Sequence, residues 1–273
     1  MTRSYSLSFL TVADLAPADA IRVAARTGYD KVGLRLLPAA TSGEAPYPIL
    51  SDPKVLADAQ TAIAETGIGI SDVEIVRLNP HTRVDEFLPF LDCAAALGAS
   101  KILVAGDDAD HARLTQTFGK FAELAGRYGM TADLEFMPWT GVRNAVQANA
   151  IVQAAAEPAG GVLPDALHWD RTGGRVEDLT SIPQETIHYI QLCDGPVAYD
   201  QSYAGLISIA RGGRLMPGDG GIDLLAFLRA LPNDVPISVE IASLELTKQM
   251  PADERASTAL RKAKAVVAVS DVE

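Results

Sequence analysis

Four polar residues stand inside otherwise apolar runs in the second half of the chain: Glu135 in DLEF, Asp165 in PDALH, Gln191 in YIQL and Glu240 in SVEI. Burying a carboxylate among apolar neighbours costs free energy unless the group is paired, protonated or bound to a cation. Any one of these residues could be a salt-bridged structural acid. Three carboxylates and an amide in four successive runs share one solution, a divalent cation. The all-oxygen set favours manganese or magnesium over a thiolate-type zinc site, with cobalt or zinc as alternatives. A second cue is His168 in ALHWDRTGG, one of only four histidines and three residues after Asp165. From there it can orient a ligand or touch a substrate oxygen; the plainer reading is a core histidine satisfied by a backbone carbonyl. Arg171 follows, either to cap the sheet end or to bind an anionic or hydroxyl-rich substrate, and Gly173 and Gly174 turn the chain.

Such residues need a scaffold that brings distant segments together, and the chain alternates two kinds of segment. Short apolar or β-branched runs occur at 5–10, 31–37, 67–76, 101–105, 131–137, 162–169, 187–193 and 236–241. Between them lie alanine- and leucine-rich stretches with helical spacing, such as ADAIRVAARTG and ARLTQTFGKFAELAGRYG, several closed by a glycine suited to a helix C-cap. Strands alternating with helices imply parallel βαβ units. Eight of them over residues 1–273, with no linker, predict a single-domain (β/α)8 TIM barrel of the α/β class. The competing doubly wound sheet lacks its glycine-rich fingerprint in the first connection, FLTVADLAPADA. In a barrel, the late strands end on one mouth, and Glu135, Asp165, Gln191 and Glu240 sit at or near those ends. Arg35 and Glu74, toward the ends of the second and third strands, would line its opposite side or pair with each other. The connection after Cys193 is long enough to be functional.

Composition narrows the partners. A net charge of -12 argues against nucleic acid, which needs clustered Lys and Arg. No apolar stretch approaches the roughly 20 residues of a membrane span, and no secretory leader is visible in MTRSYSLSFL, so a cytoplasmic location without membrane contact is expected. Cys93 and Cys193 are far apart in apolar surroundings and read as two buried thiols. His188, three residues before Gln191, should face the other side of its strand and be structural. His81 and His111 lie in turn-like settings, His111 at a helix start.

Taken in order, the acid in LEF, the D-x-x-H with its arginine and paired glycines, QLCD, R-x-x-P-G-x-G and VEI resemble the xylose isomerase-like TIM-barrel superfamily, the sugar phosphate isomerases/epimerases. The resemblance covers nearly the whole chain, including GYDKVGLRLLP. It implies one metal ion held by Glu135, Asp165, Gln191 and Glu240, with glutamine at the third position where histidine is commoner. It also implies that Glu135 and Glu240 exchange the substrate's carbon-bound proton, with His168 beside them. Arg214, or alternatively Arg211, would contact substrate from the long loop, and Asp194 would hold a ligand or accept a hydrogen bond from that loop.

The activity expected from the resemblance is a metal-dependent isomerase or epimerase of a small polyhydroxy ketone, a keto-sugar or keto-cyclitol, acting through an enediolate. The alternative is a lyase or dehydratase of the same family, on a keto-sugar, keto-cyclitol, keto-glycoside or dehydroshikimate-like substrate. An endonuclease IV-like repair enzyme would need more histidines and a phosphate-binding surface, and a non-catalytic barrel would not need the acid set. No phosphate cradle is evident at a helix N-terminus, which speaks against a phosphorylated sugar. A homo-oligomer, paired through helices or mouth loops, is the assembly the resemblance allows.

Overall fold

The computed structural model describes residues 3–39 and 47–271. In chain order the elements are β1 (Tyr5–Leu7), α1 (Pro17–Thr27), β2 (Lys31–Arg35), α2 (Pro53–Thr66), β3 (Gly69–Leu78), α3 (Leu88–Ala96), β4 (Lys101–Gly106), α4 (His111–Arg127), β5 (Thr131–Glu135) and α5 (Ala145–Ala155). They continue with β6 (Gly160–Leu163), α6 (Ala166–Arg171), α7 (Val176–Thr180), β7 (Ile190–Leu192), α8 (Tyr203–Gly212), α9 (Leu224–Arg229), β8 (Ile237–Val239), α10 (Leu244–Gln249) and α11 (Ala252–Ser270). Local chemistry sets the boundaries. Helix α2 opens with Pro53 behind Asp52, whose side chain accepts from the Lys54 amide, and it ends at Gly67 in the left-handed region.

The eight strands form one parallel sheet in the order β6-β5-β4-β3-β2-β1-β8-β7, curled into a (β/α)8 barrel as the alternation predicted. Ladders join seven neighbouring pairs, with register shifts at Val32/Leu34 in β2–β3 and at Val73/Val76 in β3–β4. The remaining seam, β6 to β7, is closed by a single bridge between Asp165 and Gln191, in which the Gln191 amide donates to the Pro164 carbonyl at 2.9 Å. Most buried apolar side chains lie between the sheet and the surrounding helices, and a smaller cluster of Ile75, Leu103, Ala105, Met137, Leu163 and Tyr189 is distinct from it. Cys93 and Cys193 are both free and buried. Among the described residues no helix is long and apolar enough to cross a membrane.

Two expectations are corrected. The segment 162–169 is not one strand: β6 stops at Leu163, and Asp165 becomes the N-cap of α6, its carboxylate accepting the His168 amide at 2.9 Å. His168 therefore sits in the first turn of a helix. His188 does not face away from Gln191's side, because β7 begins only at Ile190 and strand alternation does not reach back to it. Its Nδ1 lies 2.6 Å from Asp133 Oδ1, on the β5 face that also carries Glu135 two residues on. Gly161 makes room for this pair, since a Cβ there would fall 2.5 Å from both atoms.

Near this layer, Asp72 on β3 is buried with Oδ1 lacking any protein partner. Burial, reinforced by the negative Glu74, raises its pKa to about 7 against the opposing pull of Lys101. A carboxyl raised in the folded state takes up a proton on folding. It therefore costs no stability below the unfolded value of about 4, and stability falls as pH rises from there to about 7. Asp72→Asn is expected to stabilise the protein by roughly 2–4 kcal/mol at about pH 8 and to have little effect near pH 4. Denaturant titrations of both proteins across that range check this; a gain that does not change with pH would contradict it.

Candidate active site

The barrel mouth is built from strand ends, where the parallel ladders finish and side chains turn inward. Glu135 is the last residue of β5, Gln191 lies within β7, Glu240 directly follows β8, and Asp165 and His168 come from the start of α6. All five are buried. Glu135, His168 and Glu240 line a cavity of about 240 Å³, small beside drug-sized pockets, and Asp165 and Gln191 adjoin them. Its polar lining residues include Arg35, Glu74, Glu135, His168, Arg214 and Glu240, and its apolar ones include Leu10, Ile75, Leu103, Met137 and Trp139.

Arg214 is fixed in the middle of the acids. Its Nη1 donates to Asp165 Oδ2 at 2.6 Å, Nη2 lies 2.9 Å from Glu240 Oε2, and Nε donates to the Ala210 carbonyl. Glu240 Oε1 also accepts from Ser8 Oγ and from Gln191 Nε2, each at 2.8 Å. Gln191 Oε1 and His168 Nδ1 are buried without a protein partner. Glu135 accepts no hydrogen bond among the described residues; His168 Nε2 is 3.7 Å from its Oε1. Trp139, on the connection after β5, meets the His168 ring edge-on at 5.1 Å between centroids.

Proton affinities follow from this arrangement. Burial, together with the neighbouring Asp165 and Glu240, pushes Glu135 well above the usual carboxylate range. Burial also raises Glu240, to about 7, with Arg214 opposing and Glu74 and Asp165 adding. For Asp165 burial acts in the same sense but is outweighed by Arg214 and His168, which hold it below the ordinary value. Burial lowers His168 to about 4 despite Asp165, so its imidazole is neutral near pH 7.

Donor atoms of Glu135, Asp165 and His168 lie within 4.8 Å of one another, a spacing that suits a single metal ion. The unpartnered Gln191 oxygen adds a further ligand-type atom. This cluster overlaps the expected ligand set in Glu135 and Asp165. It differs in containing His168, while both oxygens of Glu240 are engaged by protein donors.

The other expected site residues divide. Arg35 and Glu74 line the cavity and also pair with each other at 2.7 Å. Arg214 lines it, and so does Arg211, on the last turn of α8. Arg171 does not line it: its Nη2 donates to the Pro196 carbonyl at 2.8 Å and its guanidinium stacks on Tyr199. Asp194 holds the long loop, accepting from the amides of Gly195, Gly218 and Ile222. His111 starts α4, with Nε2 2.8 Å from the Gly141 carbonyl, and His81 is exposed. Sequence reasoning missed Ser8 and Trp139. Ser8 directly follows β1, so the same search of strand ends would have found it, whereas Trp139 lies four residues past β5 on the connection, where that search does not reach.

Replacing Arg214 by Met would leave Asp165 and Glu240 buried together without their counter-ion. The expected cost is about 3–5 kcal/mol of folding stability, read from chemical denaturation at neutral pH, with Arg214→Lys recovering part of it. A loss under about 1 kcal/mol would mean that the guanidinium is not the counter-charge of this site.

A family model described as xylose isomerase-like TIM barrel matches residues 21–265. No curated protein matches the sequence. Among solved structures, the chain is similar at 22% identity and TM-score 0.77 to a xylose isomerase-like TIM barrel/4-hydroxyphenylpyruvate dioxygenase fusion protein; the match covers 96% of this chain but 42% of that one. The IOLI protein, crystallised with a zinc atom bound, is 20% identical with TM-score 0.80, covering 99% of this chain and 100% of its own. D-allulose 3-epimerase from Methylomonas sp., in complex with D-allulose, is 19% identical with TM-score 0.69, covering 96% of each chain. At these identities the likeness is one of fold.

Proposed function

Because the chain belongs to the xylose isomerase-like TIM barrel family, we propose that it is a divalent-cation-dependent isomerase or epimerase of a small polyhydroxy ketone. The observation that carries this reading is that Glu135 and Glu240 line one small cavity, with Asp165 clustered beside Glu135 and His168 and Gln191 donating to Glu240. Glu135, Asp165, Gln191 and Glu240 would hold the cation, with His168 close enough to Glu135 and Asp165 to join them and Glu240 exchanging a protein donor for the ion; manganese or magnesium is favoured by the oxygen donors and zinc by the precedent of the IOLI protein. Its contribution when bound is to stabilise negative charge that develops on substrate oxygens.

The chain's own groups supply the rest. Glu135, without a hydrogen bond to anchor it, faces the cavity and is placed to exchange a proton with a substrate carbon. Glu240, held by Ser8, Gln191 and Arg214, approaches from another strand and returns a proton to the opposite face or the adjacent carbon. His168 is neutral, buried and unpartnered at Nδ1, so it suits a hydrogen bond to a substrate hydroxyl. The apolar lining keeps water from competing for these groups.

Exchange with solvent deuterium tests this directly. Incubated in heavy water with a panel of keto-sugars and keto-cyclitols, the protein is expected to incorporate deuterium into one of them with manganese or magnesium present and to lose that activity with chelator. Glu240→Gln should abolish exchange while leaving the folded barrel intact. Exchange that persists in Glu240→Gln, or that ignores chelator, would count against these assignments.

A second reading, elimination from a substrate bearing an acid group, such as a dehydroshikimate-like ketone, is favoured by one observation. Arg211 lines the cavity from α8, is exposed, and has no ion pair among the described residues, whereas Arg35, Arg77 and Arg214 are each matched by a carboxylate. Under this reading Arg211→Ala raises KM for the acidic ketone about tenfold or more with kcat less affected. Mass spectrometry would then show loss of water instead of deuterium alone. An unchanged KM would remove the reason for preferring an acid.

A further inference from the structure

One guanidinium held away from both water and the cavity is that of Arg171, at the end of α6. Its side chain is 5% exposed, and it reaches out of the helix that carries His168 to the limb leading from β7 toward α8. Nη2 donates to the Pro196 carbonyl at 2.8 Å, Nη1 pairs with Asp170, and the guanidinium carbon lies 3.8 Å from the centre of the Tyr199 ring. The approach is close because residue 195 is glycine: a Cβ there would fall 2.5 Å from Nη2. The far end of the same connection is anchored differently. Bridges pair Leu215 with Asp194 and Gly213 with Ser243, and the Arg214 amide donates to the Ala242 carbonyl.

We propose that Arg171 is a positioning residue, one half of a latch with Tyr199 that holds the limb 195–203, and through it the start of α8, against α6. The helix so seated carries Ala210 and Arg211 to the cavity. The latch acts on one end of α8 only, because the bridges at 213–215 hold the other. A planar, multidentate donor is required, since one face stacks on a ring while the edge reaches a carbonyl. The assignment concerns the seating of the loop and holds whichever reaction the site performs.

Hydrogen exchange of the full chain, followed by mass spectrometry, tests it with Arg171→Lys, Tyr199→Ala and Tyr199→Phe. Arg171→Lys and Tyr199→Ala are expected to speed exchange of the amides of α8 about tenfold or more, with α4 and α11 unchanged. Tyr199→Phe, which keeps the ring, should exchange like the parent. Because Tyr199 is only half-buried, its truncation keeps the test open even if Arg171→Lys loosens the whole fold. Unchanged α8 exchange in Tyr199→Ala, acceleration spread evenly over the barrel in that variant, or failure of Tyr199→Phe to restore protection would each overturn the latch.

Discussion

The arrangement of the mouth depends on the guanidinium of Arg214 between Asp165 and Glu240. All three are nearly inaccessible to water, so their separate desolvation is expensive and only mutual pairing makes the site tenable. The pairing also sorts the acids. Asp165 keeps its charge because Arg214 faces it, while Glu135 lies beside that charge with no cation of its own and holds its proton more tightly. Carboxylates of similar intrinsic acidity are thereby given different tasks by their surroundings. The scaffold has to deliver the arginine accurately. Its backbone is tied to the segment after β8, its side chain to α8, and the following residue to the end of β7.

The cavity walls extend this division. Leu10, Ile75, Leu103, Met137 and Trp139 supply an apolar surface beside the charged groups. In such surroundings each hydrogen bond and charge acts with less screening than in water. The T-shaped contact of Trp139 with His168 belongs to both sides, since it covers one part of the imidazole and leaves Nδ1 unpartnered. Small volume and strong local fields together mark this cavity as a compact, polarising space.

Much of this was legible in the sequence, for particular reasons. Glu135, Gln191 and Glu240 stood out because a polar residue in a buried run must have a partner, and the alternation of segments placed their strand ends together. The stretch 162–169 was misread because a short apolar run has the same appearance in a strand and in a buried helix. What separates the two here is Asp165 capping the His168 amide, a contact visible only in three dimensions. His188 was misassigned because alternation was applied before the strand had begun. The arginines were the hardest to sort. Arg171, Arg211 and Arg214 lie within or beside the same connection, and which of them enters the mouth is decided by the path of the loop, set by Asp194 and the paired bridges.

The seam between β6 and β7 gives the barrel an unusual mechanical property. Seven joints are ladders of hydrogen bonds, and the eighth is a single clasp whose two jaws are Asp165 and Gln191, both of them at the site. The ring is thus weakest at the point where a ligand would grip. A molecule or ion that engaged both jaws would cinch the hoop shut, and its binding free energy would be felt as stiffness around the circumference.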